Sequence, residues 1–93
     1  MREIERTGRF KRDYRRETKG RHRSTLAESL VAVLRSLVAD MPLPERYRDH
    51  ALTGNRSGYR DCHIKPDLVL IYEKPDADTL RLIRLGSHSE LDL

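Results

Sequence analysis

Apolar positions along the chain follow two rhythms. Leu26, Leu30, Val33, Leu34 and Leu37 recur every three or four residues and mark one stripe of a helix. Thr25-Leu-Ala-Glu28 fits a capping box at its start, and Pro42 and Pro44 forbid its continuation. A narrower stripe, Phe10 and Tyr14, sits in an otherwise basic segment that Thr7 opens as an N-cap and Gly20 closes. Beyond residue 58 the apolar residues come in short runs divided by turn signals. Tyr59–Ile64 and Leu68–Glu73 predict two strands joined through Lys65-Pro66-Asp67, and Thr79–Leu85 predicts a third after a turn at Asp76–Asp78. Residues 2–6 predict a short edge strand. Residues 45–58, with Gly54, Asn55, Ser57 and Gly58, predict an irregular loop.

The element order is therefore β-α-α-β-β-β, an α+β arrangement in one domain spanning residues 1–93. Its last three strands form an antiparallel sheet, and both N-terminal helices pack on one face of it. With 93 residues, 37% of them apolar and 37% charged, the chain has material for one such core and not for two.

Charge adds a second theme. The net charge is +4, but residues 1–23 carry ten Lys/Arg against four acids, or +6, while residues 24–93 carry nine against eleven, or −2. A basic block of this kind suits a polyanion, and nucleic acid ahead of membrane because no strongly apolar face accompanies it. Arg9, Lys11, Arg12, Arg15, Arg16 and Lys19, with Arg60 further on, are the candidate phosphate contacts. The charged start, Met1-Arg-Glu-Ile-Glu-Arg6, predicts no signal peptide, and the longest apolar runs are far too short to cross a bilayer. Cys62 is the only cysteine, so no internal disulfide can form. A cytoplasmic protein with no membrane partner is expected.

Three of the four histidines fall where elements of the second half begin or end: His50 before the Gly loop, His63 at a hairpin rim and His88 past the last strand. Asp67 lies across the turn from His63, which is expected to bring the two side chains near each other, and Arg84 precedes His88 by four residues. Cleaving RNA without a metal requires a proton acceptor for the 2′-hydroxyl, a proton donor for the leaving 5′-oxygen and a cation for the phosphate between them. Histidine serves the first two roles because it titrates near neutrality, and the planar fork of arginine serves the third. Spacing alone leaves three readings open: a nuclease site, a transition-metal site or unrelated surface histidines. His22 reads as merely exposed, and Cys62 as a small core residue turned away from His63.

One resemblance narrows this. Tyr47-Arg-Asp-His50-Ala-Leu52-Thr-Gly54, Gly58-Tyr-Arg60-Asp-Cys-His63-Ile-Lys-Pro66-Asp67, Leu70-Ile71-Tyr72 and Arg84-Leu-Gly86-Ser87-His88 together resemble the YafQ family of toxins, within the RelE/ParE superfamily. The resemblance implies a toxin of a type II toxin–antitoxin system that enters the ribosomal A site and cuts mRNA there, needing no cofactor or metal. Its functional residues fall on His50, His63, Asp67, Arg84 and His88. The implied partners are the ribosome with its mRNA and an antitoxin, often of ribbon-helix-helix type, through which the complex meets operator DNA. Two departures stand out. Some members carry a tryptophan where Leu68 stands, and many end in His-x-x-Leu-Phe where this chain has His88-Ser-Glu-Leu91-Asp92. The alternative is a non-catalytic or ParE-like toxin that acts by binding, through gyrase inhibition or the antitoxin complex. Such a binder has no need of this set of histidines.

Overall fold

In the computed structural model, which describes residues 1–93, the elements run β1 (Glu3–Arg6), α1 (Gly8–Glu17), α2 (Leu26–Val38), β2 (His50–Ala51), β3 (Arg60–Lys65), β4 (Leu68–Asp76) and β5 (Thr79–Gly86). They build one sheet in the order β1-β5-β4-β3-β2. β3, β4 and β5 form the expected antiparallel meander, with the β3–β4 turn at Pro66-Asp67.

The sheet differs from expectation in two ways. It is mixed, because β1 lies parallel to β5 with Glu3 opposite Thr79 and Arg6 opposite Leu82. Running this way, β1 hands the chain to α1 beside the stretch of β5 that β1 leaves unpaired. The second difference is β2, inside the segment expected to be irregular. His50 and Ala51 pair with Asp61 and Arg60, and the Leu52 N–H donates to the Tyr59 carbonyl at 2.9 Å. The excursion beyond it turns on Gly54 (φ +66°) and Gly58 (φ +98°), a backbone region that glycine enters without the steric cost a side chain carries.

Thr7 caps α1 as expected: its Oγ1 accepts the Phe10 N–H at 3.2 Å and donates to the Leu82 carbonyl at 2.9 Å, which ties the helix start to the sheet. The capping box at α2 does not form. Thr25 has φ −121° and ψ 0°, outside the extended conformation that aims a cap side chain at the first turn, and it makes no cap hydrogen bond. Asp40 ends α2 in the left-handed region (φ 56°), and the Met41 N–H reaches back to the Ser36 carbonyl at 2.9 Å.

The main core lies between the helices and one sheet face. Phe10, Leu26, Leu30, Val33 and Leu37 meet Cys62, Ile64, Leu68, Leu70, Tyr72, Leu80, Leu82 and Leu85 there. The opposite face holds a much smaller cluster, Val69, Ile71 and Leu91, flanked by Leu52, Tyr59 and Ile83.

Candidate active site

Strand alternation decides which side chains meet. On β3, Cys62 and Ile64 enter the helix-side core, so Asp61 and His63 face the other way. Pairing then sets a row across the sheet: His50 beside Asp61, Asp61 beside Ile71, Ile71 beside Arg84. In the next row His63 pairs with Val69 and Val69 with Gly86, just before His88. The result is a polar rim around the small apolar cluster.

Within that rim the rings of His63 and His88 stand edge to face, 4.9 Å between centroids. His50 Nδ1 lies 2.6 Å from the Arg48 carbonyl and 3.2 Å from Asp61 Oδ1. Asp61 is only 3% exposed, and the His50 ring approaches its Oδ1 without the geometry of a hydrogen bond, so that oxygen is buried with an ionic neighbour alone. Burial pushes its carboxyl above the usual range, while His50, His63 and His88 all pull the other way. Burial, with the nearby His88, lowers His63, so its ring is the neutral, proton-accepting form at neutral pH. Asp61 therefore belongs to the site. Sequence reasoning passed over it, although an acid two positions before His63 on a strand must share its face.

Asp67 is not where it was expected. The register shifts between His63 and Lys65, and the two-residue turn carries Asp67 toward the α1–α2 connection. Its carboxylate meets His22 Nε2 and Arg21 Nη2, each at 2.9 Å. Burial works against its charge, but His22 and Arg21 outweigh burial and hold the carboxyl below the usual range. Asp67 is thus a fixed anion. His22, expected to be merely exposed, is its partner, with a side chain 17% exposed. Beside them opens a polar cleft of about 330 Å³, bounded across from Asp67 by Ser87 and Glu90.

Arg84 reaches the rim from β5 but is held by Asp13 of α1, Nε to Oδ2 at 2.7 Å. Along α1 and just beyond it, Arg9, Lys11, Arg12, Arg15 and Lys19 are exposed. Arg16 is exposed too, but unlike the others it is engaged within the protein. It turns onto the sheet edge, donating to the Leu85 carbonyl at 2.8 Å and pairing with Asp13, Glu17 and Glu90. Arg60 lies 3.4 Å from Asp49, which also accepts the Tyr72 hydroxyl at 2.5 Å and so braces the chain just before His50.

Four further positions bear on the sequence reading. Cys62 is fully buried, and burial pushes its thiol well up, so it behaves as a core residue. Leu68 is 1% exposed within the helix-side core and presents no surface to a base. Leu91 packs against Val69 and Ile71, whereas Asp92 is exposed with a left-handed backbone (φ 58°). No group of three or more His, Cys, Asp or Glu side chains is arranged to hold a metal ion.

The sheet and the helix pair on one face of it recur in solved toxin structures. A copper-bound mutant toxin from Helicobacter pylori superposes with TM-score 0.85 at 36% identity, covering 98% of this chain and 99% of that one. The Escherichia coli DinJ–YafQ complex matches with TM-score 0.83 at 37% identity, covering 98% of each chain. Among curated sequences, the mRNA interferase toxin YafQ of Escherichia coli K12 is 38% identical over 91 residues, 98% of this chain and 96% of the relative. Residues 2–93 match the family described as bacterial toxin of type II toxin-antitoxin system, YafQ, and the chain belongs to that family.

Proposed function

We propose that this toxin is an endoribonuclease that cuts mRNA on the ribosome by metal-independent acid–base chemistry and is held inactive by an antitoxin. The observation that carries this reading is the convergence of His50, His63 and His88 around the buried carboxylate of Asp61, with Arg84 on the same sheet face. The neutral His63 takes the proton of a 2′-hydroxyl, whose oxygen attacks the adjacent phosphorus. The bond from phosphorus to the 5′-oxygen breaks, and His88, one ring away, returns a proton to that oxygen. The products are a 2′,3′-cyclic phosphate, which water can open to a 3′-phosphate, and a 5′-hydroxyl. Arg84 supplies positive charge where the phosphate crowds in the transition state. Asp61 holds His50 against β3 and offsets the charge the histidines gain. Asp67, kept ionised by His22 and Arg21, serves as an acceptor and fixed charge and does not donate the proton.

The five exposed cations of the first helix region meet ribosomal phosphates without reading sequence. The antitoxin partner follows from the DinJ complex of the related toxin, and operator DNA is reached through that partner. A toxin acting by binding alone has no use for a neutral histidine set edge to face with a second one near a buried acid.

The test is cleavage of mRNA on translating ribosomes by purified protein. Wild type cuts; His88→Ala and Arg84→Ala do not, while both still fold and bind the antitoxin. Cutting by both variants contradicts the reading.

A further inference from the structure

Asp13 stands in the middle of the most basic stretch of the chain, yet it is 4% exposed. A buried carboxylate there is costly unless it is fully engaged. Four donors engage it. Arg84 Nε and the Leu85 N–H meet Oδ2 at 2.7 and 3.0 Å, while Arg16 Nη1 and Arg84 Nη2 meet Oδ1 at 3.2 and 3.3 Å. A carboxylate offers about four acceptor positions, so this one has none left for substrate.

Two tasks are combined in this contact. The first is structural: β1 ends opposite Leu82, and Asp13 with Arg16 satisfies the Leu85 N–H and carbonyl on the edge β1 leaves open. The second concerns Arg84. A free arginine side chain samples many rotamers, and a phosphate clamp works only from one of them. Asp13 holds the Nε and Nη2 side of the guanidinium, which leaves Nη1 without a partner in the protein.

We propose that Asp13 is the positioning residue for Arg84: it grips one side of the guanidinium and presents the other to the scissile phosphate. This rests on the assignment of Arg84 to the phosphate made above. The contact also ties the basic helix to the site, since one residue of α1 sets the aim of the phosphate-binding group on β5.

Asp13→Asn loosens the grip while sparing the sheet edge. The amide oxygen still accepts the Leu85 N–H and Arg84 Nε, but it has lost the negative charge, and the amide nitrogen, now a donor, faces Arg84 Nη2 and Arg16 Nη1. Asp13→Glu keeps the charge and displaces it by a methylene, which guards against a folding failure of the first variant. Single-turnover cleavage on programmed ribosomes is measured for both, for Arg84→Lys and for Asp13→Asn/Arg84→Lys, alongside ribosome affinity. Each Asp13 variant is expected to lose about tenfold in the cleavage rate constant with ribosome affinity unchanged. Asp13→Asn should not deepen the loss already caused by Arg84→Lys, because a positioning residue has nothing to act on once its target is gone. The Arg84 Nε–H resonance should be slow to exchange in wild type and exchange faster in Asp13→Asn, where its acceptor is neutral and the Nη2 contact is gone. Wild-type rates in both Asp13 variants, or losses that multiply in the double variant, overturn the proposal. A wild-type rate in Arg84→Lys instead overturns the assignment of Arg84 to the phosphate, on which the proposal depends.

Discussion

The two faces of the sheet are made from the same strands and have opposite contents. On the helix side, 13 buried residues form one apolar core in which nearly every position is aliphatic or aromatic. On the other side only Val69, Ile71 and Leu91 are buried together, and His50, Asp61, His63, Arg84 and His88 surround them. Alternation along β3 sorts the residues so strictly that Cys62 is fully buried in one face while His63, its neighbour, lies in the other. The first face carries stability. The second has just enough apolar packing to hold the reactive groups still and leaves them open to a long substrate.

The contrast breaks most sharply with substitutions on the polar face. His63→Ala is expected to cut the cleavage rate by about 10²- to 10⁴-fold, the range for losing a general base, with little change in thermal unfolding. Because the folded pKa of His63 lies below its ordinary 6.5, its base form persists into mildly acidic buffer. The acid limb of the wild-type rate profile should therefore fall below pH 6.5, as rate measurements across pH will show.

Leu82→Ala probes the other face. Leu82 is fully buried, and its loss should lower unfolding free energy by about 2–5 kcal/mol in denaturant titrations while leaving the rate per folded molecule unchanged.

Asp61→Asn crosses between the two roles. A buried acid whose Oδ1 has the His50 ring nearby but no directed hydrogen bond destabilises the fold when ionised, so removing its charge should add on the order of 1 kcal/mol of stability at neutral pH. The sign follows from the raised folded pKa: the cost is absent below the ordinary 3.8, develops as pH rises through the raised value, and is complete above it. Cleavage should fall in the same variant, because His50 loses its charged neighbour. Unfolding curves at pH 3 and 7 check the first half, and ribosome assays the second.

The smallest effect is expected on the exposed helix. Replacing Arg9, Lys11, Arg12, Arg15 and Lys19 by Gln should weaken ribosome association and flatten its salt dependence without moving the cut site. Arg16 is left out, since its side chain closes the sheet edge.

Most of the helix-side face was legible in the sequence because periodicity reports burial directly. Leu26, Leu30, Val33 and Leu37 announced α2, and the turn at Pro66-Asp67 fixed the meander. The polar face was legible only in part. Its histidines and Arg84 came from chemistry and resemblance, but Asp61 was hidden because an acid in a strand looks solvent-facing until the sheet covers it. Proximity in a turn suggests Asp67 beside His63, but it does not take in the bulge between His63 and Lys65. His22 and Asp13 were invisible for a different reason: their partners lie 45 and 71 residues away, and no local pattern encodes such a pair.

The chemistry of the polar face is tested most directly by the ends it leaves on mRNA. EDTA-treated protein and translating ribosomes are incubated, and the new termini are identified by mass spectrometry. Transesterification by histidines predicts a 2′,3′-cyclic phosphate or 3′-phosphate on one fragment and a 5′-hydroxyl on the other, at a rate that added metal does not raise. A 3′-hydroxyl with a 5′-phosphate, or cutting that begins only when metal is restored, would contradict it.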